Sequence, residues 1–315
     1  MKKKTMLAVA AALTTLLLPL VVTNQYYLHI LNLAGIYTLI TLGLNLLSGY
    51  TGQVSMGQAG YFAAGTYVSA LLMLNSGVSF WVAMIAAAVF CALCGVVIGV
   101  PAMKLSGPYL VLVTVGFGEI IRLVILNWTP VTKGAAGLTG IPLPSAFGFR
   151  VVSEQDFYYL ILFFVVLGTY VAWRLANSKV GRTFNALRED ELAAESMGVP
   201  VNAYKIAAFA ISAVYAGVAG SIYGSFAGVA SPDNFTFDDS VGFLCMSVVG
   251  GNRTIGGALA GAFILMFLSE ALRAFQAYRL VIYGAILIFT VIYMPQGLAG
   301  LMDVYRRRRR PEGRP

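Results

Sequence analysis

Four charges in the apolar part of this chain come as two matched pairs, Glu119 with Arg122 and Glu270 with Arg273. At i, i+3 each pair can close on itself on one helix face. Opened, each would offer an anion and a cation to the ammonium and carboxylate of an amino acid. Self-pairing is the simpler reading, and both pairs are placed toward the outer ends of their helices. Other chemistry is excluded by what is missing. Cys91 and Cys94 form a CxxC, but it stands inside an apolar run and reads as small-residue packing. His29 is the single histidine, and there is no HExxH, no zinc-spaced cysteine set and no Ser/His/Asp triad without it. No metal site and no enzyme activity is expected. No GxxxxGK[ST] occurs either, so a second protein must hydrolyse ATP if ATP drives the molecule.

The elements that carry these residues are interrupted in two places. Gly49, Gly52, Gly57 and Gly60 alternate with Gln53, Ser55 and Gln58 and lead to Tyr61, while Gly250, Gly251, Gly256 and Gly257 flank Asn252, Arg253 and Thr254. Broken helices of this kind line transport pathways. Gly49, Gly52, Gln53, Ser55, Gln58, Tyr61 and Asn252 are therefore candidate path residues; the plainer alternative is small residues at ordinary turns. Ala216, Gly220, Gly224 and Gly228 recur every four residues, a small-residue stripe that lets helix backbones approach closely. Gly257 and Gly261 repeat the spacing.

Of the 315 residues 59% are hydrophobic and 11% charged, less than half the charge of an ordinary soluble domain. Uncharged runs of about 20 residues exclude an alternating β-barrel and predict an all-α, polytopic helical membrane protein. Spans are expected at about 7–23, 28–47, 54–74, 80–100, 109–127, 157–175, 205–227, 239–251, 256–272 and 279–295. The eighth is short for a crossing, so it and the ninth could be one broken or re-entrant span, giving nine transmembrane helices or ten. The chain then divides into a basic end with an uncleaved first helix (1–27), a first helix group (28–175) with an outer loop at 128–156, an inner loop (176–204), a second helix group (205–295) and a basic tail (296–315).

The net charge of +8 is concentrated at the chain ends and in a few loops, which argues against nucleic acid and for anionic membrane lipid. With both termini inside, 16 of the 21 Lys and Arg fall on the inner side, against 5 for Arg122, Lys133, Arg150, Arg273 and Arg279. The outer loop is either a lid or docking surface for an external partner or a cover for the bundle. Residues 176–204 form the one long polar stretch on the inner side. Arg188 to Met197, with Glu189, Asp190, Glu191, Ala193, Ala194 and Glu195, predicts one short helix ending at Gly198 and Pro200. Lying along the membrane surface, it would present its charges to a soluble protein.

The stretches GLNLLSGYTGQVSMGQAGYFAAGTYVSALL (43–72), GPYLVLVTVGFGEIIRLVILNWTPVTKGAAGLTGIP (107–142) and GRTFNALREDELAAESMGVPVNAYKIAAFAISAVYAGVAGSIYGSFAGVASPDNF, continuing to Phe263, resemble the LivM-type permeases of branched-chain amino acid ABC importers. The resemblance covers roughly 40–295. It implies a bacterial inner-membrane translocation subunit that binds no cofactor itself. The implied partners are a second, related permease, two cytoplasmic ATPase subunits that use ATP and Mg, and a periplasmic substrate-binding protein. It further implies that 181–200 is the element that docks in a groove of the ATPase, where Ala193, Ala194 and Gly198 match the AAxxxG core of the importer signature and Leu192 replaces its Glu. Gln58 stands where many relatives carry His. Leu, Ile and Val are the implied substrates, with urea or short amides as alternatives in the same role. From the residues alone, an ion-coupled carrier using Glu119 and Glu270 is the rival reading.

Overall fold

A computed structural model describes residues 24–105, 107–146, 149–271 and 278–293, together with Pro19 and Gly297. Besides the one-turn helix Thr129–Thr132, its α-helices are α1 (Gln25–Leu44), α2 (Gln58–Ser76), α3 (Phe80–Ala102), α4 (Pro108–Asn127), α5 (Glu154–Ala176), α6 (Lys179–Glu189), α7 (Glu191–Ser196), α8 (Val201–Ala227), α9 (Phe237–Gly250), α10 (Ile255–Ala271) and α11 (Arg279–Tyr293). Each expected span from the second to the tenth has a helix within a few residues of its place. The expected first span, Arg273 and the basic tail lie outside the described residues. Among the described residues five helices are long and apolar enough to cross a membrane: α1 with its extension to Tyr50, α3, α4, α5 and α8.

α8 is the axis of the bundle, packing along both α2 and α3. Small residues make this possible. A methyl group at Gly65 would lie 2.6 Å from Gly217 Cα, one at Gly95 2.8 Å from Ala210 Cα, and one at Gly220 2.8 Å from Thr66 N. Helix association inside a bilayer relies on such close approach because lipid supplies no hydrophobic drive. Cys91 belongs to the same contact: it is free, buried, and donates to the Tyr61 carbonyl at 3.4 Å. The expected stripe is corrected at its end. A methyl at Gly228 would meet no described residue within 4 Å; the residue caps α8 with φ 67, a left-handed conformation that suits glycine, and its carbonyl accepts from Gly140 N and Ile141 N at 3.1 and 3.3 Å.

The eighth and ninth spans are separate helices packed against each other, with Gly250 on Gly257 and Gly261. α9 has 14 residues, so it is about 21 Å long, short of the ~30 Å hydrocarbon layer. Its start is fixed by a capping box between Thr236 and Asp239. Residues 128–146 and 149–153 fold back as a cover. Leu138–Thr139 pairs antiparallel with Val229–Ala230, Leu138 and Ile141 are buried, and the Trp81 indole donates to the Ser145 carbonyl at 2.9 Å. Below them Phe62 is the aromatic hub, with Tyr37, Tyr223, Phe235 and Phe243 around it at ring separations of 5.1–6.4 Å.

Candidate functional site: two helix breaks and a clamped loop

α1 does not end cleanly. Its last turn widens into a π-helix, Asn45–Tyr50, and the chain then runs non-helical from Gly52 to Gly57 before α2 begins. Non-helical backbone at membrane depth is tolerated only where protein or a water-filled cavity meets its polar groups. The structure supplies those partners from three other helices. Met56 N donates to Thr114 Oγ1 of α4 at 3.1 Å, Ala59 N to Ser240 Oγ of α9 at 3.0 Å, and Gln58 Nε2 to Ser212 Oγ of α8 at 2.6 Å. Ser240 thus caps α2 in place of its own Gly57, which has no side chain to do so.

The second break lies against the first. Asn45 Nδ2 donates to Ser247 Oγ and to the Gly251 carbonyl, each at 3.3 Å. A methyl at Gly49 would stand 2.9 Å from Arg253 N, so glycine is required for the contact. The turn between α9 and α10 carries two left-handed residues, Gly251 at φ 126 and Arg253 at φ 73. Asn252, within it, has a buried side-chain oxygen without a partner. The candidate path residues are thereby brought to one region, with Gln53, Ser55, Gln58 and Tyr61 all buried. Gln53 finds no partner for either amide atom, nor does the Tyr61 hydroxyl. Beside Gln53 a cavity of about 540 Å³ opens between Thr51–Val54, the Leu105–Leu112 segment, Glu191 and Lys205.

The 176–204 loop differs from expectation in an instructive way. Instead of one helix from Arg188 there are two, broken at Asp190, whose extended backbone (φ −159, ψ 112) places its carboxylate as the cap of α7, accepting from Ala193 N at 3.0 Å. The acidic cluster therefore works inward as well as outward. Glu189 stands 3.8 Å from Arg253 in the second break, and Glu191 binds the buried Lys205 of α8 at 2.6 Å. Arg188 donates to the Gly49 carbonyl in the first break and covers Gly52 with its stem. Burial, and secondarily Arg253, hold the Arg188 guanidinium below its usual pKa. Ala194 is buried against Leu187 and Val201, whereas Leu192 and Met197 are 77% and 85% exposed. Leu192 is the residue that replaces the Glu of the importer signature, whereas Met197 looks in the sequence like an ordinary member of a polar loop.

Of the two expected charge pairs, only Glu119–Arg122 lies wholly among the described residues. Arg122 closes on Glu119, with Nη2 2.6 Å from Oε1, near the middle of α4 rather than toward its end. Glu270 receives the Tyr26 hydroxyl. His29 is 3.0 Å from Glu154, which also accepts from Asn32 at 2.8 Å, an interhelical tie between α1 and α5 that the sequence did not suggest.

Apolar spanning helices, helix breaks sealed by polar side chains at their core, and a polar loop clamped onto those breaks define a multi-pass membrane transport subunit. Comparison with known proteins specifies which. A family model described as branched-chain amino acid transport system / permease component matches residues 26–291. The chain is 36% identical over 292 residues to the high-affinity branched-chain amino acid transport system permease protein LivM of Escherichia coli, spanning 85% of this chain and 69% of that one. It is also 25% identical to permease protein LivH of the same organism, over 86% of this chain and 94% of that one. The autoinducer 2 import system permease protein LsrC of an Enterobacter species is 30% identical over 64% of this chain and 59% of the relative. The chain belongs to the branched-chain amino acid ABC transporter permease family.

Proposed function

We propose that this chain translocates branched-chain amino acids as one of two related permease subunits of an ATP-driven importer, both its termini lying on the cytoplasmic side. Likeness to both LivM and LivH supports pairing with a second, non-identical permease. Two cytoplasmic ATPases would bind ATP and Mg, and an external binding protein would deliver the substrate. The 16 to 5 distribution of Lys and Arg supports the orientation.

The observation that carries the mechanism is the loop: Arg188, Glu189 and Glu191 tie it to both helix breaks and to α8, while Leu192 and Met197 stand bare. An ATPase dimer that closes on those apolar side chains would push on α6–α7, and the clamps would pass the movement to the breaks. The bundle would then alternate between outward-open and inward-open states. The 51–61 segment is one part of the path this chain contributes.

Leu192→Arg with Met197→Arg tests the docking directly, because both side chains are on the surface and the change leaves the core intact. Apolar contacts at the centre of an interface are worth about 2 kcal/mol or more, so co-purification with the ATPase and ATP-driven uptake should fall by roughly 30-fold or more. Normal uptake with normal co-purification in the double variant would sink the coupling role.

A further inference from the structure

Among the described spanning helices α4 is the least covered by its own chain: only Leu110, Thr114 and Ile125 are buried. It is held along one edge, where Thr114 and Gly118 meet Gly57 and Gly60 of α2. Tyr109, Leu112, Gly116, Ile120 and Leu123 are left bare. On the margin of that face stands the Glu119–Arg122 pair, Arg122 Nε also lying 3.0 Å from both carboxylate oxygens. The side chains remain 40% and 25% exposed. α4 is about 30 Å long, the thickness of the hydrocarbon layer. Glu119 is the twelfth of its 20 residues, which puts its backbone within about 2 Å of the bilayer mid-plane and that of Arg122 about 7 Å from it. Charges at a helix centre cost roughly 2.5–3.5 kcal/mol each on insertion scales and avoid lipid. A half-exposed pair at this depth marks a face turned to water or to another polypeptide.

We propose that Glu119 and Arg122 form a receiving point for a zwitterionic α-amino acid within the membrane, on a path that runs along the bare face of α4 beside the second permease. The ligand's ammonium displaces Arg122 from Glu119 while its carboxylate takes the guanidinium. Ammonium and carboxylate of an α-amino acid are both attached to one carbon, Cα, so both reach two side chains one helical turn apart. One ion pair is exchanged for two, and because pair and ligand are each neutral, no net charge enters the low-dielectric interior. Leu112, Gly116 and Ile120 beside the pair leave an apolar surface with a gap for an apolar side chain. The assignment rests on the reading of the chain as an amino-acid permease.

The test uses the complete complex of this chain, second permease, ATPases and binding protein in proteoliposomes, with radiolabelled L-leucine as the probe. Glu119→Gln and Arg122→Gln are expected to assemble and to lower the leucine imported per ATP hydrolysed by roughly 10- to 100-fold, as for loss of a charge-assisted contact. Glu119→Arg with Arg122→Glu keeps a self-neutral pair but reverses its polarity, and should assemble without restoring import. Wild-type import by either single variant would overturn the proposal. So would single variants that fail to assemble together with a reversed pair that restores both assembly and import, since the pair would then be an interface lock. Failure of the unmodified complex to import L-leucine would instead overturn the permease reading on which the site depends.

Discussion

Lys205 lies at the foot of α8 with its side chain 5% exposed, while its partner Glu191 is 46% exposed. The two ends of this ion pair are not equivalent. Neutralising the carboxylate leaves a buried ammonium without its counter-charge; neutralising the ammonium leaves a carboxylate that water reaches. Loss of one partner from a fully buried pair costs several kcal/mol, and water around Glu191 reduces this to about 2 kcal/mol for Glu191→Gln. Lys205→Met removes the buried charge and keeps the stem, at a cost of about 1 kcal/mol or less. Thermal unfolding in detergent should therefore rank Glu191→Gln below Lys205→Met, and the reverse order would contradict the burial asymmetry. This pairing was not legible in the sequence. Glu189, Asp190 and Glu191 look like one solvated cluster, and only folding sends one to Arg253, one to a helix cap and one to Lys205. Gly228 shows the converse: its spacing fits the packing stripe, yet its position past the last turn makes it a cap.

Span positions were readable because apolar length is a local property: 80–100 became Phe80–Ala102 and 109–127 became Pro108–Asn127. The interruptions were readable as glycine-rich places, but not as shapes. A π-helical turn at Asn45–Tyr50 is stabilised by Asn45 bonding to residues some 200 positions away, which no periodicity records. The break at Asp190 was hidden for a related reason, since strong helix formers stand on both sides of it and the cap decides. α7 has six residues, too few to be stable without that cap and the contacts of Ala194. Asp190→Ala should cost about 1 kcal/mol, equivalent to roughly fivefold faster amide hydrogen exchange over 191–197, whereas Asp190→Asn should stay near the original rate. Equal exchange in all three proteins would mean that Asp190 does not hold α7.

Across the whole molecule, burial is uneven in a way that composition conceals. α1 and α8 are sheathed by their own chain, whereas α4 exposes most of its length together with an ion pair at mid-depth. On the proposed pairing, a second permease would complete a bundle that leaves these two charges partly exposed. Detergent or lipid against that face leaves the pair poorly satisfied, and a second permease or a narrow water-filled path would relieve it. The family sets the same expectation from another direction, because two different permease types of one transport system each resemble this chain. Co-expression with its companion permease should consequently raise the thermal midpoint. For a protein of this size each kcal/mol gained corresponds to about 2–4 °C, and a helix-long interface supplies several. Gly116→Trp, placed in the middle of the bare face where an added Cβ meets no other described residue within 4 Å, should leave the midpoint of the isolated chain unchanged and abolish the gain from the companion. A gain that survives this substitution would place the companion on another face, and the charges of α4 would then need a different account.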